Sequence, residues 1–189
     1  MNNLFTNLET TNFILKIPEP GDAQLLYDGL VDTIEELRKF PNSWPWAVDD
    51  PSLEKASAFC FGAYSKCLRL YKFSFLILDK KNNNLVGVLE AKRSNPRENI
   101  YEIILWITKP YQNKRGLRTK GVLLEIRDFF AQWLKTSDFD IVLKFAVESN
   151  NKPVLSSMKK MGFEWSHQEY VEEKDATFDI FFYNLATSL

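Results

Sequence analysis

The stretch from Tyr101 to Gly121, YEIILWITKPYQNKRGLRTKG, constrains the chain more than any other. It begins as an apolar, strand-like run, breaks at Lys109-Pro110, crosses a short polar loop and enters an amphipathic pattern. That order predicts a strand, a turn and the start of a helix. The first amides of a helix have no partner within it and carry a partial positive charge, so such a junction is a natural seat for a phosphate. Lys109, Lys114, Arg115, Arg118 and Lys120 add charge, and no acidic residue lies between Thr108 and Leu124. Gly116 supplies a position that tolerates positive φ or close approach of a ligand. The residues read as a pyrophosphate cradle, with a solvated, charged helix start as the plainer alternative.

Around this unit the chain alternates strands and helices. Asn12 to Ile17 reads as a strand ended by Pro18, and Gly21-Asp22 opens a helix. A second helical piece is expected from Thr33 to Phe40. Pro41 to Val48 (PNSWPWAV) is too rich in Pro for a helix, and its indoles either line a cleft or plug the core. Asp50-Pro51-Ser52 starts a helix reaching Leu68. Tyr71 to Leu78 and Leu85 to Ala91 form a hairpin, and Glu98 to Ile107 supplies a third consecutive antiparallel strand. A helix from Gly116 to Leu134 leads to the strand Asp140 to Val147, which a helical crossover makes parallel to the strand before Pro110. Pro153 opens a shorter helix that Gly162 ends, and Glu164 to Val171 pairs with Thr177 to Leu185 as a terminal hairpin. The expectation is a single domain over residues 1–189. Its sheet would be mixed but mostly antiparallel, of about seven strands, with helices on both faces and a V-shaped split between the fourth and fifth.

Composition narrows the partners. With 24 basic and 25 acidic residues the net charge is −1, unlike the basic excess of proteins that grip nucleic acid electrostatically. No run approaches the 18 apolar residues of a membrane span, and the N-terminus lacks the pattern of a secretory leader, so a cytoplasmic protein is expected. Cys60 and Cys67 lie about 10 Å apart along a predicted helix, too far for a disulfide, so reduced, buried thiols are expected. One His and two Cys make no metal site of recognised spacing.

Several short motifs stand in order: the Ile17 to Tyr27 segment, Trp44-Pro45-Trp46-Ala47, Tyr101-Glu102-Ile103, Trp106, Pro110-Tyr111-Gln112, and Asn151-Lys152 eleven residues before Gly162-Phe163, with Asp179 and Tyr183 in the last strand. Taken together, they resemble the GNAT superfamily of N-acetyltransferases and, within it, the ribosomal-protein N-terminal (RimJ/RimL-like) branch. The resemblance implies transfer of an acetyl group from acetyl-CoA to a primary amine, either a protein N-terminus or a small molecule, in a monomer or homodimer without a metal. It places the CoA pyrophosphate on Gln112, Asn113, Lys114, Arg115, Gly116, Leu117, Arg118 and Thr119. Pantetheine would lie between the splayed strands, with main-chain amides of Leu105, Trp106 and Ile107 polarising the thioester.

Glu102 is the candidate base, acting through water, or else a solvated strand carboxylate beside a cation. Asn151 holds pantetheine or a water, or caps its helix; both roles are expected together only if Asn150 caps. Trp44 and Trp46 are candidate substrate-binding residues. Three positions depart from the family pattern: Arg118 where the loop has a small residue, Val154 where serine is common, and Met158 where related enzymes carry a tyrosine. They leave room for a module that binds CoA or a protein partner with little turnover.

Overall fold

The computed structural model describes residues 8–44, 46–68, 72–93, 99–112, 119–135 and 142–184. In chain order the strands and helices are β1 (Leu8–Glu9), β2 (Phe13–Lys16), α1 (Ala23–Leu37), α2 (Leu53–Leu68), β3 (Lys72–Asp79), β4 (Leu85–Arg93), β5 (Ile100–Ile107), α3 (Lys109–Gln112), α4 (Thr119–Lys135), β6 (Val142–Glu148), α5 (Lys152–Lys160), β7 (Glu164–Val171) and β8 (Ala176–Asn184). The strands form one sheet in the order β1-β2-β3-β4-β5-β6-β8-β7. Every adjacent pair is antiparallel except β5 and β6. The expected architecture is present, with eight strands instead of seven because the two-residue β1 extends the edge beside β2.

Alternation along the strands sends side chains to two cores, one on each face. On one face Leu76, Val88 and Trp106 pack with Leu26 and Leu30 of α1 and Ala56 and Cys60 of α2. On the other, Phe75, Leu89, Ile103 and Ile107 meet Val122 and Ile126 of α4 and Met158 and Met161 of α5. Helices thus cover both faces. Each buried aliphatic side chain contributes roughly 1.5–3 kcal/mol, so these two apolar layers dominate the stability.

One local expectation needs correction. The chain from Ala23 to Leu37 is one helix, not two, because Leu26, Leu30, Ile34 and Leu37 keep a single buried stripe in phase across Asp32-Thr33. Thr33 is itself fully buried, and its hydroxyl oxygen accepts the main-chain N–H of Lys109, tying α1 to the end of β5. Gly116, the start expected for the helix leading to Leu134, lies outside the described residues, as do all of 113–118, and α4 is described from Thr119. Elsewhere the signals hold. Ser52 Oγ accepts from Lys55 N–H at the start of α2, and Gly162 follows α5 at φ +81°. Cys60 and Cys67 are buried free thiols.

Gly87 on β4 lets the main chain of β5 approach closely. A Cβ there would lie 2.1 Å from the carbonyl oxygen of Trp106, a contact with main chain that no rotamer relieves. Gly87→Ala is therefore expected to destabilise the protein by about 1–3 kcal/mol in urea unfolding, the usual range for overpacking. Gly21→Ala, where nothing lies within 4 Å of the new methyl, is the neutral control.

Burial, with a smaller push from Asp22, drives the Cys60 thiol up to about 11, and burial also raises Cys67. Since the thiolate is the reactive form, neither cysteine should react with a disulfide reagent in the folded protein at pH 8. Both should react after unfolding; rapid labelling of the folded chain would contradict this packing.

Candidate active site

The site begins where pairing stops. β5 and β6 are parallel partners only at Ile100–Val142, Tyr101–Leu143 and Glu102–Lys144. Beyond that point each follows its other neighbour: β5 stays paired with β4 to Gly87–Ile107, and β6 with β8 to Glu148–Phe178. The main chain of β5 shows what the split exposes. Thr108 N–H donates to Val86 O at 2.8 Å, so hydrogen-bonded pairs with β4 recur at every second residue, through Trp106–Val88 and Ile104–Glu90. The N–H and C=O groups of Leu105 and Ile107 consequently face the side of β6, and past the Glu102–Lys144 pair no strand among the described residues meets them. The carbonyl of Ile107 is taken by the Gln112 amide, Nε2 to O 2.8 Å.

A cavity of about 420 Å³ occupies this gap and reaches both faces of the sheet. On the α1 side its wall includes Glu36, Leu37, Phe40, Ser43 and Trp44; on the other it includes Leu123, Val154, Ser157 and Met158. Ile103 to Ile107 form one edge and Phe145 to Val147 the other, with Asn151 at the end of β6. The space is mostly apolar with a few polar groups, as befits a cleft for an extended chain.

Of the residues expected from the sequence, Leu105, Trp106, Ile107, Gln112, Asn151 and Trp44 come together around this cavity. Thr119 is the first residue of α4. Asn113, Lys114, Arg115, Gly116, Leu117 and Arg118 lie outside the described residues. Trp46 does not join Trp44: it stacks edge-on against Phe59 at 4.8 Å and lines a second cavity under α2. Glu102 sits at the last paired position, in register with Lys92 on β4 and Lys144 on β6, and is not part of the cavity wall.

Asn151 joins the two roles that the sequence set apart. It is the N-cap of α5, its Oδ1 accepting from Val154 N–H at 3.4 Å, yet it is buried on the cleft wall. Capping occupies the oxygen and leaves its amide N–H groups for the cleft, so Asn150 is not required as the cap.

Three features escaped the sequence. Glu148, 3 % exposed at the end of β6, accepts Ser43 N–H at 2.9 Å and Ser43 Oγ–H at 3.0 Å. That carboxylate holds the turn Pro41–Ser43, and with it Trp44, against the mouth of the split. Trp44 in turn meets Trp106 edge-to-face at 6.5 Å. The indole Nε1–H of Trp106 is buried without a partner among the described residues, an orphan donor in the cleft wall. Glu36 is the one carboxylate in that wall among the described residues. The ammonium of Lys39 lies 2.5 Å from it and holds its carboxyl below the usual range, which makes it a weak base. No sequence signal links Ser43 to a glutamate so distant in the chain.

The residues matching the last strand have structural work. Asp179 on β8 accepts Trp165 Nε1–H at 2.8 Å and clamps β7 to β8, while the ring of Tyr183 lies under the guanidinium of Arg127 at 5.1 Å.

Similarity to known proteins agrees with this geometry. A search of curated proteins finds no match. Among solved structures the fold superposes on RimL, ribosomal L7/L12 alpha-N-protein acetyltransferase, in complex with coenzyme A, with a TM-score of 0.78 and 14% identity over 95% of this chain and 98% of that one. It is also similar to the ribosomal-protein-S5-alanine acetyltransferase from Vibrio fischeri (TM-score 0.74, 11% identity, 96% and 98% covered). A third likeness is to the microcin C7 self-immunity acetyltransferase MccE in complex with acetyl-CoA and AMP (TM-score 0.75, 13% identity, 92% and 93% covered). At these identities the likeness speaks for the fold. The family model described as acetyltransferase (GNAT) domain matches residues 12–164, most of the chain, and the protein therefore belongs to the GNAT acetyltransferase family.

Proposed function

We propose that the protein transfers an acetyl group from acetyl-CoA to a primary amine, at a protein N-terminus or on a small molecule, by direct attack within a ternary complex. The observation that carries this reading is the unpaired edge of β5. Main-chain groups of Leu105 and Ile107 face a cavity of about 420 Å³ between two diverging strands, where an extended amide-bearing arm can hydrogen-bond as a missing strand would. Structures similar in fold hold coenzyme A or acetyl-CoA, which supports the same substrate here.

The chemistry asks little of the side chains. An α-amino group with a pKa near 8 is about one-tenth neutral at pH 7, so positioning and a polarised carbonyl supply most of the acceleration. The main-chain N–H groups of Leu105 and Ile107 are the candidate donors to the thioester oxygen; that of Trp106, expected beside them, faces Val88 on β4 instead. Asn151 offers its amide N–H groups to the pantetheine or to a water. Glu102, on the same face as Ile104 and Trp106, is the candidate base and reaches the amine through water. The loop 112–119 carries the pyrophosphate in this reading. Trp44, fixed by Ser43 and Glu148, bounds the acceptor side.

A second reading, a module that binds CoA with little turnover, is favoured by one observation. The two wall positions Val154 and Met158 present no hydroxyl to the cleft.

Acetyl-CoA at millimolar concentration is expected to raise the melting temperature, by about 2.7 kcal/mol of added stability at one hundred times its Kd. Val154→Trp, which fills the cleft from a partly exposed wall position, should abolish that rise. An unchanged melting temperature in the parent protein would refute CoA binding. Thiol release from acetyl-CoA with a panel of amines and N-terminal peptides then separates the two readings. Acceptor-dependent release supports transfer, and none across the panel supports the module.

A further inference from the structure

The second cavity, about 360 Å³, lies on the α1/α2 face of the sheet, closed by the start of α2 and by Trp46. Its floor is Glu90 on β4, a carboxylate only 2 % exposed. Burying a charge at that depth is costly unless both oxygens are satisfied. Here only one is. Lys72 Nζ lies 2.7 Å from Oε1, and Ser74 Oγ–H donates to that same oxygen at 3.2 Å. No hydrogen bond or ion pair among the described residues reaches Oε2, which is open to the cavity that Glu90 lines. The edge-to-face pair of Trp46 and Phe59, ring centroids 4.8 Å apart, lines the same space.

The remaining charged groups in the wall are spoken for. Lys55 Nζ sits 2.6 Å from Asp49, and Asp50 takes Arg38. A carboxylate oxygen open to a space that two aromatic rings also line selects a charged donor above a neutral one. The carboxylate supplies a charge-assisted hydrogen bond and the rings supply cation–π attraction.

The position of this cavity gives it a purpose. Glu90 is the direct cross-strand partner of Ile104, and Ile104 forms part of the wall of the cleft between β5 and β6. Paired residues on adjacent strands stand about 5 Å apart, so a molecule a few methylene groups long can bridge the two spaces. We infer that the cavity beneath α2 binds the positively charged far end, an aliphatic ammonium or a guanidinium, of the acceptor whose amine is acetylated in the neighbouring cleft. The inference rests on the acetyl-transfer reading of that cleft.

The test uses acceptors that differ only in a second charge. One pair is 1,5-diaminopentane against 1-aminopentane; the other is an N-terminal tripeptide amide with lysine against norleucine at its second position. In the parent protein KM should be about tenfold lower for the doubly charged member of at least one pair, the worth of a single desolvated charge contact. Which pair responds tells a small polyamine from a basic peptide.

Glu90→Gln should shrink that ratio to within about twofold, and Phe59→Leu, which leaves the carboxylate and its lysine intact, should reduce it in part. Equal KM values within both pairs, or a ratio that survives Glu90→Gln, would overturn the inference. If no amine is acetylated, the transfer reading fails by itself and calorimetry still reads the cavity. Heat of 1,5-diaminopentane binding that is lost in Glu90→Gln supports a cation site there, and no heat in the parent protein overturns it.

Discussion

Everything in this fold turns on the short parallel pairing between β5 and β6. Three residue pairs hold the strands together, and past Glu102–Lys144 each strand is claimed by its antiparallel neighbour. On its other side β5 is held close to β4 at Gly87, where the Trp106 carbonyl comes nearer than any side chain would allow. A strand edge left open inside a sheet is a liability unless something covers it. Here the edge faces a cavity whose two sides are walled by helices from both layers, so the exposed amides are at once shielded from other sheets and presented to a ligand.

The surroundings of the split are held by polar contacts that act as fasteners. Gln112 covers the last carbonyl of β5, Thr33 ties Lys109 to α1, and the hydroxyl of Tyr111 donates to Asp79 at 3.0 Å. Across the gap Glu148 grips Ser43 and so sets Trp44 beside Trp106. Hydrogen bonds to a buried carboxylate contribute about 1.5–3 kcal/mol each, enough to order a loop that contains two prolines and would otherwise wander. The Trp44 side of the cleft is thus shaped by a glutamate that takes no part in the chemistry proposed for it.

The order of elements, the parallel pair and the two apolar faces were legible in the sequence because they rest on periodicity and on Pro and Gly punctuation. The break at Thr33 was misread because a polar Asp-Thr pair resembles a helix start. Only the burial of Thr33 against Lys109 shows why the helix continues. Leu105 to Ile107 and Asn151 could be placed beside one cavity because strand ends and helix caps carry local signatures. Trp44 and Trp46, two residues apart, could not be told to face different cavities, because irregular backbone has no period from which to read direction. Glu90 and Glu148 were invisible for a related reason. Nothing in VGVLEAK or FAVESN distinguishes a buried strand carboxylate from a solvated one, as its meaning lies in partners that only folding brings near.

The central claim concerns the amides of Leu105 and Ile107, and hydrogen exchange reads them directly. In the free protein they should exchange much faster than those of Ile104 and Trp106, which the β4 ladder protects, and saturating acetyl-CoA should slow them by orders of magnitude. Slow exchange at Leu105 and Ile107 without ligand, or exchange unaltered by acetyl-CoA, would contradict the account.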